Sequence, residues 1–162
     1  MNINEWHDFF VATAGSAAAL TGLIFVGVSI NITKILSLPK LPDRALLSLF
    51  LLLNILVVSS LMLVPAQSFL LVGSEISILA ISMYIIVTKM DVNIYRRTQH
   101  PYKKQYFFSI IFNQLSVAPY LFAGVLILID REKGVFWIVP GILLSFIKAV
   151  IDAWVLLVEI NR

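Results

Sequence analysis

The sequence predicts an all-α, polytopic transmembrane helix bundle of five spans, with its N-terminus outside and its C-terminus in the cytoplasm. Three observations carry this expectation. Hydrophobic residues make up 60% of the 162 residues and charged residues 13%, where soluble domains run near half and a quarter. Mean hydropathy is +0.96. The apolar residues fall into five runs, each close to the roughly 20 residues that a helix needs to cross hydrocarbon. The runs and their loops leave no length for a soluble domain, so residues 1–162 are expected to form a single transmembrane domain.

The spans are expected at about 9–32, 45–64, 69–88, 106–129 and 135–158. The first has acidic Glu5 and Asp8 before it in place of a positive n-region, and its apolar stretch is too long for a cleavable signal, so it is expected to stay in the mature chain. The second follows the polar break Pro39-Lys40-Leu41-Pro42-Asp43-Arg44. The third starts after Pro65-Ala66-Gln67-Ser68 if that segment is the turn. A turn at Gly73-Ser74 instead would shorten it below the length of a span. Pro119 and Pro140 interrupt the fourth and fifth, a common kink in membrane helices.

Charge sets the threading. Nine of the twelve Lys and Arg residues fall on one side of a five-span chain, two (Arg131 and Lys133) on the other, and Lys148 lies inside a span. Cytoplasmic loops carry the basic excess, which puts the N-terminus out. Trp6, Phe9, Phe10, Phe136 and Trp137 are placed for one interfacial belt, and Tyr95, Tyr102, Tyr106 and Trp154 for the other. The basic residues from Lys89 to Lys104, with His100 among them, mark topology and meet anionic headgroups. His7 is expected at the outer surface. The +3 net charge is thus a membrane signature, and no nucleic-acid partner is expected.

Small residues dominate the first span. Gly15, Ala18, Ala19, Gly22 and, further on, Ser29 share one helix face, the pattern that lets two backbones approach closely in lipid. That face is either a packing seam within the chain, or else a subunit seam or the lining of a narrow path. Ionisable groups inside a membrane are functional candidates by default. Lys148 and Asp152 lie four apart and meet on one face; they form either a local ion pair reaching towards headgroups or the wall of a wet pathway. Glu75 is the second candidate, in the outer part of span three. Thr21, Asn54, Asn113 and Gln114 fall at depths near that of Lys148 and are expected to make one interior polar layer, as glue between helices or as a hydrated path.

Walker-type loops, Gly-x-Ser-x-Gly and His-Glu-x-x-His are absent, cysteines number zero, and the two histidines fall on opposite sides of the membrane. No enzyme, cofactor or metal site is therefore expected.

Trp6-x-x-Phe9-Phe10, the run from Gly15 to Asn31, Pro39-x-Leu41-Pro42-x-Arg44-Ala45, Pro65-Ala66-Gln67 and Gly73-Ser74-Glu75 resemble the first half of a group of small bacterial integral inner-membrane proteins of unassigned function. Some members carry the label of modulator of an FtsH-type membrane protease. The resemblance implies a multi-pass location in the bacterial inner (plasma) membrane, and it implies that Glu75 and the small residues of the first span matter. Five short-looped helices make a thin bundle, so several copies would enclose a polar layer better than one. The expected assembly is a homo-oligomer in the lipid bilayer forming a small ion-permeation pathway. The alternative is a non-conducting regulatory or scaffold subunit whose partner is another membrane protein, such as a membrane protease.

Overall fold

A computed structural model of the chain describes residues 4–37, 41–98 and 103–160. Pro39, Lys40, His100, Tyr102 and Arg162 lie outside the described residues. Among those described, every regular element is a helix: α1 (Asn4–Ile30), α2 (Ile32–Ser37), α3 (Leu41–Met62), α4 (Phe69–Arg97), α5 (Lys103–Ile129) and α6 (Arg131–Ile160). All but the short α2 are long and apolar enough to cross a membrane.

The distribution of side chains is that of a protein solvated by lipid. Leu23, Phe25, Leu70, Ile78, Phe108 and Trp154 are all more than 60% exposed, whereas Asn54, Ser59, Asp91, Asn113, Ser116, Ser145 and Lys148 are buried. A water-soluble domain shows the opposite preference and does not leave so many large apolar side chains uncovered. The chain is a multi-pass membrane protein.

α5 lies at the centre of the larger half of the bundle, packed along α4 on one side and α6 on the other, while α3 joins α1 to α6. Glycines set the closest crossings. A Cβ on Gly124 would lie 2.5 Å from Ser77 Oγ and 2.8 Å from the Ser77 nitrogen, so α4 and α5 touch backbone to backbone there. Gly141 lies against the Tyr120 ring. One residue, Asp130, separates α5 from α6. Its backbone carbonyl accepts from the Gly134 amide at 3.0 Å, and Lys133 pairs with its carboxylate at 2.9 Å. Gly134 packs against the Ile127 backbone across this corner, which leaves no room for a side chain.

The connection between α3 and α4 occupies residues 63–68. The Leu63 and Val64 amides bond back three residues, to Ser60 and Leu61, which tightens the end of α3. Pro65 cannot continue the helix, Ala66 takes a left-handed backbone at φ 57°, and Ser68 caps α4 by accepting from the Leu71 amide at 3.4 Å. Gly73 and Ser74 lie inside α4.

α4 is longer than the apolar run that announces it. The helix continues past Thr88 to Arg97 and spans roughly 43 Å at the usual rise. The charges at Lys89 and Asp91 mark the edge of the apolar composition, not the end of the helix. The backbone stays helical because Asp91 finds partners inside the bundle, and the last turn is closed by Thr98, whose amide bonds to Tyr95 O at 3.1 Å.

Candidate functional site

The buried polar groups gather near the end of the bundle where α4 meets α5. Along the inward face of α4, the stripe Ile76, Ala80, Met83, Val87 continues at helical spacing to Asp91 and Ile94. Asp91 therefore occupies a core position and is 1% exposed. Its Oδ1 accepts from Asn113 Nδ2 at 2.7 Å and from the Tyr106 hydroxyl at 3.2 Å. Its Oδ2 accepts from Gln114 Nε2 at 3.3 Å. That nitrogen also reaches Thr88 Oγ1 at 3.3 Å. One carboxylate thus gathers three donors from α5, an arrangement that satisfies a buried anion without exposing it.

Lys148 is brought to the same place by α6. It is 2% exposed, and its ammonium donates to Asp152 one turn further on. The ammonium is turned into the bundle and does not reach out along lipid to the headgroups. It lies within electrostatic reach of Asp91, and Arg44 of α3 is near enough to act on both Lys148 and Tyr106. Beside the cluster lies a small cleft of about 10 Å³ lined by Arg44, Tyr106, Ser109, Asn113 and Asp152 among others. Its volume suits about one water molecule. Asn113 is among its lining residues, and the Oδ1 of that side chain is buried without a hydrogen bond from the protein.

The expected single polar layer is divided in the structure. Asn113 and Gln114 join Asp91, beside Lys148 and Asp152. Thr21 does not: its hydroxyl donates to Ala17 O of its own helix at 2.7 Å. Asn54 is buried on α3, where it neighbours the Tyr120 hydroxyl without a hydrogen bond of full geometry. Equal depth is all that groups these four in the sequence. Depth does not fix the direction in which a side chain points around its helix, and Thr21 spends its hydroxyl on its own helix. A hydroxyl and carbonyl seam, with Ser145 Oγ on Ser116 O at 3.3 Å and Ser116 Oγ on Leu144 O at 3.2 Å, continues the polar interior between α5 and α6. Thr13 and Ser59 bond across α1 and α3 at 2.9 Å.

Glu75 is at the other end of the bundle, held by Gln67 Nε2 at 2.7 Å, and is no part of the Asp91 cluster.

The small-residue face of α1 is also placed plainly. Gly15, Ala18, Ala19, Gly22 and Ser29 are all exposed, and a Cβ on Gly15 or Gly22 would meet nothing within 4 Å. The face does not pack within the chain. α1 uses Phe10, Thr13 and Ala17 for α3, and its Trp6 ring stands edge-on to Phe136 of α6 at 5.1 Å.

Asp91 and Tyr106 are the site residues that sequence reasoning misses. By position alone Tyr106 reads as an interfacial aromatic, and Asp91 reads as part of a loop. Extending the inward stripe of α4 by one more turn finds the carboxylate. Among the described residues, no group of three or more His, Cys, Asp and Glu side chains is placed to hold a metal. Compared with protein-family models, with curated proteins and with solved structures, the chain finds no significant match.

Proposed function

We propose that the protein is a homo-oligomeric assembly of the bacterial inner membrane that forms a small ion-permeation pathway, with the proton as the ion that fits best. The observation that carries the reading is the buried charge cluster. Two carboxylates and an ammonium are held inside a lipid-solvated bundle, where ionisable groups are expensive and serve transport or coupling far more often than packing. The small cleft beside them has room for about one water, which favours an ion that moves by exchange along hydrogen bonds. Asp91 would hold the proton, Asn113 and Gln114 would orient it, and Lys148 with Asp152 would set the local field. The nine-cation side is the end that carries this cluster, so the site opens towards the cytoplasm.

Purified protein in liposomes under a potassium diffusion potential is expected to acidify or alkalinise a trapped pH dye. Asp91→Asn, which keeps the shape of the side chain, should slow that flux by at least about tenfold. No flux at any voltage or pH would overturn the reading.

A second reading rests on α1. Its outward small-residue face supports close contact with a helix from outside the chain, from another copy or from another membrane protein. A regulatory or scaffold subunit, such as one serving the membrane protease to which the resemblance points, would use the same face. Native mass measurement in detergent separates the two. The homo-oligomer predicts a defined multiple of 18.2 kDa, and Ala18→Leu should convert it to the monomer with helicity unchanged. A monomer that co-purifies with a different membrane protein, and loses it in Ala18→Leu, favours the second reading.

A further inference from the structure

A cavity of about 460 Å³ opens at the end of the bundle opposite the Asp91 cluster, between the start of α1, the 63–68 connection and the α5–α6 corner. Its size is that of a small-molecule pocket, about 300–1,000 Å³. Its walls are apolar and aromatic, with Trp6, Phe10, Phe69, Val72, Ile127 and Val135 among them. Its polar end is different in kind. Gln67 lines the cavity and spends its amide NH₂ on Glu75, which leaves Gln67 Oε1 buried with no hydrogen bond from the protein. Glu75, one turn along α4 from Val72, has no ion pair among the described residues. Glu75 does not itself line the cavity: at that end an unfilled carbonyl oxygen belongs to the wall residue Gln67, and a carboxylate stands one hydrogen bond behind it, a pairing that calls for a donor of positive charge. The half-buried Trp6 ring adds an aromatic surface of the kind that attracts a cation, and His7 lines the cavity as well.

We propose that this cavity binds an amphiphile with an apolar body and a primary ammonium head, the head donating to Gln67 Oε1 beside the Glu75 carboxylate and the body lying along the aromatic wall. This is independent of the permeation reading and of the α1 face. The ammonium can come from an aminophospholipid headgroup or from a free long-chain amine; the chemistry of recognition is the same.

Trp6 supplies the reporter. In a Trp137→Phe, Trp154→Phe background, a long-chain alkylamine brominated on its tail should quench Trp6 in detergent with a saturable curve, and the matching alkyl sulfate should need a concentration at least about tenfold higher. Glu75→Gln and Gln67→Leu should each raise the half-saturating amine concentration roughly tenfold, and Val72→Phe should remove saturable quenching by filling the space. In vesicles, saturable quenching by brominated phosphatidylethanolamine but not by brominated phosphatidylglycerol assigns the head to a lipid. Saturation by the free amine alone assigns it to a soluble amphiphile. Either upholds the site. Quenching that rises without saturation, or that is the same for amine and sulfate and unmoved by Glu75→Gln, would overturn it. Gln67 is in the connection outside the helices, so Gln67→Leu keeps the test available if Val72→Phe does not fold.

Discussion

Lys148→Ala is expected to destabilise the bundle by about 3–5 kcal/mol, the range for removing one partner of a buried charge pair. The size follows from what is left behind. Asp152 loses the ammonium that it accepts from, and Asp91 loses a positive charge within electrostatic reach, in surroundings that offer little solvent in exchange. Unfolding in mixed detergent micelles, followed by far-UV circular dichroism, measures the loss. The double variant Lys148→Met, Asp152→Leu removes both charges and replaces them with apolar volume, and it should regain most of the stability, because a matched apolar pair is often as good as a buried ion pair. If the pair serves permeation, this restored bundle should still conduct poorly. Full flux in the double variant would assign the pair to architecture alone, and a Lys148→Ala cost under about 1 kcal/mol would mean that the ammonium is solvated after all.

Gly124→Ala is expected to cost about 3 kcal/mol, the upper end of overpacking costs. The added carbon would meet the backbone of Ser77 at 2.8 Å and 2.9 Å, so α4 and α5 would have to separate along the crossing that carries Asp91 to its partners. Gly15→Ala makes the same chemical change with the opposite surroundings. Nothing lies within 4 Å of the new carbon, and alanine is the better helix former by up to about 1 kcal/mol, so the monomer should be unchanged or slightly firmer. Equal effects at the two glycines would contradict the packing described for α4 and α5.

The helices are legible because lipid solvation writes itself into composition: an uncharged run of some 20 apolar residues has the length and the polarity of the hydrocarbon layer itself. Lys148 is legible as a rare charge in such a run, and Asp152 by its distance of one turn. Asp91 is not, since it sits where apolar composition fades while the helix continues, and composition is blind to that continuation. The inward stripe through Val87 holds the missing information. The glycines show the same limit from the other side. Gly15 and Gly22 form a conspicuous motif and face outward, while Gly124 and Gly134 stand alone in sequence and lie against a neighbouring backbone. Spacing along one helix records what could pack closely; the partner that does so is set by the bundle.

The corner at Asp130 bears on how the chain is made. With a single residue between them, α5 and α6 have no slack to enter the bilayer at separate times, and they are expected to leave the translocon as one hairpin. In that unit Lys148 travels with its counter-ion already one turn away on the same helix, so the insertion machinery handles a near-neutral pair in place of two lone charges. Lengthening this corner with a flexible linker would uncouple the two events, and biogenesis, more than the finished fold, is where the change should be felt.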